Sequence, residues 1–353
     1  MITGIICEFN PFHQGHKYLI DSAKKHSDGV VCVMSGNFVQ RGEFAVYDKF
    51  TRAKKSLENG ADLIIELPCA YSLMSAKGFA KYAGQILRGC GVVNRITFGA
   101  ECDDAAKLKA AADKIKENDG IIKEMLKEGI SYPAARKAAV NDPVLDTPNN
   151  ILAIEYISEI DLPFYPVKRI GKGHDSDDEL YSASQIRKSL DENEISSLKN
   201  CEKAVLAKLR TMTEDDFLEI DDVSEGLENR IVQAVRSSTS LEEIYDKIKT
   251  KRYTHSRIRR IILKSYLGIT SRYTRDVPYI RILGFNDRGR EILNMMTKKA
   301  SLPVISRYAD IKNLTPFGKE LFELECRCTD LYNLGYKNPL PCGTEQRSKI
   351  ATV

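Results

Sequence analysis

The chain has 353 residues, 42% hydrophobic and 29% charged, with a formal net charge of +4. That length exceeds what one hydrophobic core usually holds, so two domains are expected. No run of about 18 apolar residues occurs, and the opening MITGIICEFN lacks the basic start of a signal peptide, so the reading is no membrane span and a cytoplasmic location.

The first hundred residues alternate between strand and helix patterns. GIICEF reads as a first strand, with a helix over about 14–26, and GVVCVM as a second. The polar loop SGNFVQRGEFAV follows, then a helix over about 48–59. ADLIIEL is a third strand, 76–88 a helix, and VNRITFG a fourth strand. In the loop, Arg41 is a phosphate candidate, and Lys49 and Arg52 open the next helix; a surface loop with a basic helix face fits the same residues. Helices then dominate to about 160, LPFYPVKRI is a fifth strand, and a short helix starts near Ser182. Continuous apolar strands separated by helices predict a parallel sheet covered on both faces.

After about residue 191 the strand signal fades. CEKAVLAKLRTM, VSEGLENRIVQAVRSS and LEEIYDKIKT carry apolar residues at helical spacing. The expected division is therefore an α/β domain over 1–194 and a mainly α-helical domain over 195–353. Nine cysteines are scattered, several inside apolar runs such as VVCVM, as small core residues of a reducing compartment would be. Cys326, Cys328 and Cys342 lack a fourth ligand at metal-site spacing and read as ordinary thiols.

Charge is unevenly spread. Residues 201–250 hold 12 acidic against 7 basic residues, whereas 251–300 hold 13 basic against 3 acidic, which points to a face for a polyanion. Within KTKRYTHSRIRRIILKSYLG, helical spacing puts Arg257, Arg260 and Lys264 on one face, with Ile258, Ile261 and Ile262 free to face a core. Tyr253 adds a ring able to stack on a base. This is the best nucleic-acid candidate, although a solvated basic helix has the same pattern.

Residues 8–16 read EFNPFHQGH, at the carboxyl end of the first strand. Ligands of open parallel sheets bind at such ends. Pro11 removes a ladder donor, Gly15 allows close approach to the backbone, and the following helix N-terminus favours phosphate. His13 and His16, bracketing that glycine, can donate hydrogen bonds to phosphoryl oxygens as charge develops.

HQGH resembles the His-x-Gly-His signature of the superfamily that contains nucleotidylyltransferases and class I aminoacyl-tRNA synthetases. YSASQIRKSL (181–190) is similar to the Ser-Ser-Thr-x-x-Arg element of the nucleotidylyltransferases, and the synthetase motif Lys-Met-Ser-Lys-Ser is absent. The segments EFNPFHQGHKYL, VMSGNFVQRGEFAVYDKFTRAK, GADLIIELP, TFGAE, PNNILAIEY and VKRIG occur in order, with RYTHSRIRRIIL and PYIRILGFNDRGREIL later. Together they resemble the bacterial tRNA(Met) cytidine acetate ligase family.

The resemblance implies a Rossmann-like nucleotidylyltransferase sheet over 1–194 that binds ATP, and tRNA binding by 195–353. It implies activation of acetate by ATP to acetyl-adenylate, with release of pyrophosphate. The acetyl group then passes to N4 of the wobble cytidine, C34, of elongator tRNA(Met), releasing AMP. ATP is a substrate, Mg2+ its implied companion, and no resident metal site or stable protein partner is implied. Carried onto this chain, the ATP contacts are Ile6, Cys7, Glu8, Phe9, Asn10, Pro11, Phe12, His13, Gln14, Gly15, His16, Lys17, Tyr18, Leu19, Gly99, Asn150, Arg169 and Ile170. Ser182 or Ser184 with Arg187 would hold the outer phosphates. From its own surroundings Asn150 reads first as a helix N-cap, and Arg169 equally as a surface cation. His174 and Asp175 of GKGHD touch a base or acetate, or belong to a glycine-hinged loop. Two other classes compete: a nucleotidylyltransferase acting on a small phosphorylated metabolite, and an RNA-binding module without turnover.

Overall fold

A computed structural model describes residues 1–169, 183–224 and 226–353, and only the backbone of Ser184. Strand β1 (Ile2–Cys7) leads to α1 (Gln14–Lys24), then β2 (Gly29–Ser35), a hairpin of β3 (Phe38–Val39) and β4 (Glu43–Phe44), α2 (Lys49–Glu58) and β5 (Leu63–Leu67). Next come α3 (Cys69–Ser72), α4 (Ala76–Gly89), β6 (Arg95–Ala100), α5 (Ala105–Glu117), α6 (Asp119–Lys127), α7 (Tyr132–Val140), α8 (Pro148–Glu159), β7 (Phe164–Lys168) and α9 (Ala183–Ser189). The rest comprises α10 (Glu202–Arg210), α11 (Glu214–Leu218), α12 (Leu227–Arg236), α13 (Leu241–Ile248), α14 (His255–Leu267), β8 (Ile280–Phe285), α15 (Asp287–Lys299), β9 (Val304–Ile305), α16 (Pro316–Asn333), α17 (Thr344–Arg347) and β10 (Ala351–Thr352).

Five strands pair in parallel in the order β5-β2-β1-β6-β7. Chain order therefore reverses between β1 and β6, which places the ligand crevice outside their carboxyl ends. Every residue of β1, β2 and β5 is buried, as helices on both faces require. Alternate side chains divide between two apolar clusters. Ile2, Ile6, Val31, Val33, Leu63 and Ile65 face the larger one, while Ile5, Cys7, Val30, Cys32 and Ile64 face the one under α1 and α2.

The chain beyond 195 is mainly helical, but it does not stand apart. Strand β8 pairs antiparallel with β5, and β9 and β10 pair with β8, so the second half extends the first half's sheet. The larger apolar cluster runs continuously from Ile2 through α10–α14 to Tyr332. A strand within IRILGF was not expected. Six residues in a basic, helix-rich stretch carry a weak signal, and antiparallel addition to an open edge decides it.

Lys49 and Arg52 also point inward, 0% and 1% exposed, correcting the reading of α2 as a basic surface. Lys49 pairs with Glu66 and Glu345 and lies 3.9 Å from Glu325. Arg281 on β8 lies 3.2 Å from Glu66 and 2.5 Å from Glu345. Burial alone would lower the Lys49 ammonium; the carboxylates of Glu345 and Glu66 overcome it and hold it above its ordinary range. Burial, then the charge of Glu66, pushes the third acid, Glu325, up to about 8, so it is protonated at neutral pH. Two cations then face two carboxylates, and the cluster is neutral.

Candidate active site

The turn after β1 is held from several sides. Phe9 has φ 46°, an uncommon value for a non-glycine residue, and its ring is buried. Arg52 donates from Nη1 to the Glu8 carbonyl at 2.6 Å, from Nη2 to the Ser35 carbonyl at 3.1 Å and to that of Gly36, and from Nε to the Tyr47 carbonyl at 3.0 Å. One guanidinium thus ties together the carboxyl ends of β1 and β2. The Asn10 side chain accepts from Val46 N at 2.8 Å, and its carbonyl accepts from Arg187 Nη1 at 2.7 Å.

His13 is the N-cap of α1. Its Nδ1 accepts from Gly15 N at 3.0 Å, while His16 Nδ1 accepts from His13 N at 3.3 Å. This is a capping box built from imidazoles in place of the usual hydroxyl and carboxylate. It also assigns the tautomers. A ring whose Nδ1 accepts a hydrogen bond carries its proton on Nε2 when neutral, so each histidine keeps an Nε2–H to donate. The rings stack with centroids 3.7 Å apart, and Phe9 and Phe12 pack on His16 at 4.9 and 5.7 Å.

Burial, then Arg169 and Arg187, lowers His13 to about 4. Burial, His13 and Arg169 hold His16 well below its ordinary value. Both rings are neutral donors at physiological pH. Gly15 has a reason that sequence did not supply: a Cβ there would lie 2.9 Å from His13 Cε1, so the glycine makes room for the capping ring.

Across the crevice, Gly99 and Ala100 end β6 beside Val167 and Lys168 of β7. Asn150 is buried in the first turn of α8, but the cap position belongs to Thr147. Asn150 Oδ1 accepts from Cys102 N at 2.9 Å, which commits the oxygen and leaves donation to Nδ2. Glu101 accepts from Asn149 Nδ2 at 2.6 Å and Asn150 N at 3.0 Å, and Asn149 Oδ1 accepts from Arg169 Nη1 at 3.5 Å. Glu101 and Asn149 were not singled out from sequence; both sit inside TFGAE and PNNILAIEY, and only the packing of α8 on β6 shows that they act together.

The remaining candidates separate by position. Ile6, Cys7, Asn10 and Pro11 are buried in the turn's support, with Cys7 Sγ 3.7 Å from the Val33 carbonyl. Glu8 accepts from Gln40 N at 2.6 Å; burial raises its carboxyl, opposed by that hydrogen bond and by Arg52. Lys17 pairs with Asp21 at 2.8 Å, Gln14 and Tyr18 are exposed on α1, and Leu19 packs against the smaller cluster. Ile170, His174, Asp175, Ser182 and the Ser184 side chain lie outside the described residues. Among the described residues, no group of three His, Cys, Asp or Glu side chains is placed to hold a metal ion. All nine cysteines are free thiols, with Cys326 and Cys328 buried on α16 and Cys342 exposed.

The nucleic-acid candidates need correction. Arg260 is 7% exposed and 3.5 Å from Asp222, Lys264 is 1% exposed and 3.8 Å from Asp221, and Tyr253 is buried. Arg257 donates to the Asp222 carbonyl from Nε at 2.9 Å and Nη2 at 2.5 Å. Asp221 and Asp222, in the turn after α11, thus neutralise Arg260 and Lys264 of α14, which composition by segment cannot reveal.

A reversed-order parallel sheet with two neutral imidazole donors at its first strand-to-helix corner is the architecture of a nucleotidyl transferase. Residues 1–205 and 191–347 match the family model described as HIGH Nucleotidyl Transferase. The tRNA(Met) cytidine acetate ligase of Acetivibrio thermocellus is 38% identical, covering 96% of this chain and 96% of that one; that of Clostridium kluyveri is 37% identical, covering 96% and 95%. Among solved structures, apo Thermotoga maritima TmcAL superposes with a TM-score of 0.89 at 31% identity, covering 99% of each chain. The same protein bound with alpha-thio ATP gives 0.85 at 32%, covering 99% of this chain and 97% of that one. The chain belongs to the HIGH nucleotidyl transferases and, within them, to the tRNA(Met) cytidine acetate ligase family. It is a ligase of that family.

Proposed function

We propose that the protein uses ATP to join acetate to N4 of the wobble cytidine, C34, of elongator tRNA(Met). The observation that carries this reading is the pair of Nε2–H donors at the α1 N-terminus, flanked by Arg169 and Arg187. The relatives' names supply the acyl group and the acceptor.

In the first step an acetate oxygen attacks the α-phosphorus of ATP. The Pα–O bond to the β-phosphate breaks and pyrophosphate leaves. His13 and His16 donate to phosphoryl oxygens as charge develops, without spending energy on reorientation, because the cap already holds both rings. Arg169 and Arg187 face the departing charge. Asn150 Nδ2 donates to an acceptor on the nucleoside. In the second step the exocyclic amine attacks the acetyl carbonyl, the C–O bond to AMP breaks, and the amine loses a proton. The wobble base must leave its stack to reach the anhydride. The described residues offer no carboxylate set for Mg2+, so an ion here would ride on the nucleotide's phosphates, and no step is routed through it. No helix among the described residues is long and apolar enough to cross a membrane, which is compatible with work on tRNA in the cytoplasm.

The test supplies ATP, labelled acetate and bulk tRNA, then digests the RNA. The expected result is label in N4-acetylcytidine, with acetate-dependent pyrophosphate release even when tRNA is omitted. A stable nucleotidylated small molecule, made without regard to tRNA, would replace this reading with a metabolite nucleotidylyltransferase.

A further inference from the structure

The burial of Arg260 and Lys264 leaves open where an RNA is held. Much of the positive charge of residues 251–300 is neutralised internally. Arg260 and Lys264 face Asp222 and Asp221, Arg281 faces Glu66 and Glu345, Arg272 lies 3.1 Å from Glu320, and Arg288 pairs with Glu291. Lys251 and His255, on the stretch that leads into α14, are both exposed.

Lys251 stands on a stiffened loop. Lys249 Nζ donates to the carbonyls of Thr250 at 3.0 Å and Tyr253 at 3.2 Å, and Thr250 Oγ1 accepts from the backbone of Arg252 and Tyr253, both at 3.2 Å. The buried Tyr253 ring carries Arg252 at 5.8 Å and Arg257 at 5.2 Å. These bonds constrain the backbone that carries the exposed Lys251.

The β3–β4 hairpin joins this region to the catalytic corner. Gln40 N donates to Glu8 at one end. At the other, Gly42 lies so close to α14 that a Cβ would meet Arg260 N at 2.6 Å, and its φ of +76° is one glycine tolerates. Glu43 pairs with Arg259 at 2.6 Å. Between these anchors Arg41 is exposed, near enough to Glu8 to favour its ionised form.

We propose that Arg41 at the hairpin tip and Lys251 on the loop before α14 grip the phosphates of a single-stranded RNA loop whose base enters the His13–His16 corner. The proposal rests on the ligase reading above. Cations on a hairpin anchored to α14 and on the loop that leads into that helix would position a backbone without reading sequence, leaving the base free to be splayed out. His255, exposed in the first turn of α14, lies four residues after Lys251 and one helical turn before Arg259.

The experiment measures binding of bulk tRNA to the full chain across salt concentrations, for the Arg41→Ala, Lys251→Ala double variant. The expected loss is roughly tenfold in affinity, with a salt slope shallower by about 0.7 for each charge removed. Acetate-dependent pyrophosphate release without tRNA is measured in parallel. A Lys298→Ala, Lys299→Ala variant, at the far end of α15, should bind as wild type. Wild-type affinity and slope in the double variant would overturn the proposal. If pyrophosphate release also fell, the hairpin change would have disturbed the corner, and Lys251→Ala with His255→Ala would decide: weaker binding with release intact upholds the proposal, unchanged binding overturns it. Absence of acetate-dependent release from the wild type would instead sink the ligase reading itself.

Discussion

Two concentrations of titratable groups are tied to the first turn of α2. One is the catalytic corner, tied to α2 through Arg52; the other is the buried cluster around Lys49, three residues earlier. In the cluster every charge is answered by another: Lys49 and Arg281 against Glu66 and Glu345, with Glu325 protonated. At the corner the polar groups are answered on one side only. Each imidazole gives its Nδ1 to the helix cap and keeps its Nε2–H for something else. The difference teaches how to tell a structural network from a site. Both perturb pKa values strongly, but only the second leaves held, oriented donors without a matching acceptor among the described residues.

The largest expected effect comes from unbalancing the closed network. Lys49→Met leaves three carboxylic groups facing one guanidinium, and breaking such a buried pair costs about 3–5 kcal/mol. Urea unfolding should show a loss of that order, while the folded fraction still binds ATP. A loss below about 1 kcal/mol would mean that the carboxyls reprotonate at little cost and that the contrast is overdrawn.

Breaking the open region should do the reverse. His16→Ala should reduce acetate-dependent pyrophosphate release by about 10²–10³-fold with only a small shift in the unfolding midpoint. His13→Ala should add the loss of a helix cap, about 1 kcal/mol. Because His13 is lowered to about 4, release should show no inflection near pH 6.5 and should fall only as pH approaches 4. A clear inflection near 6.5 would mean that an imidazolium takes part.

The mildest test uses opposite pH senses. His13 is lowered in the folded chain, so it binds fewer protons there than when unfolded between about 4 and 6.5, and its contribution to stability falls as pH drops through that window. Glu325 is raised from 4.5 to about 8, so its contribution falls as pH rises from 4.5 towards 8. Glu325→Gln should therefore leave stability at pH 5 little changed and flatten the alkaline decline, measured as urea midpoints from pH 5 to 9. An unaltered alkaline limb would assign that decline to other groups.

The five parallel strands and the corner were legible because their signals are local. Two-faced burial makes β1, β2 and β5 read as nearly continuous apolar runs, and HQGH falls where a strand hands over to a helix. The site's far wall was legible only in part. Gly99, Asn150 and Arg169 came from resemblance to a family, while Glu101 and Asn149, which orient Arg169 and the first turn of α8, did not. Nothing in their spacing distinguishes them from surface polar residues.

The sequence by itself determined the alternation of strand and helix, the placement of two histidines at the first strand-to-helix corner, and the helical character of the second half. These depend on periodicity and on neighbours within a few positions. Only the tertiary structure decided where the charges went. Lys49 meets Glu345, and Glu66 meets Arg281, across more than 200 residues of chain, and Lys264 is buried against Asp221 and not offered to an RNA. A side chain's charge is written in the sequence, but the cost of burying it is settled by whichever partner the fold brings within a few ångströms.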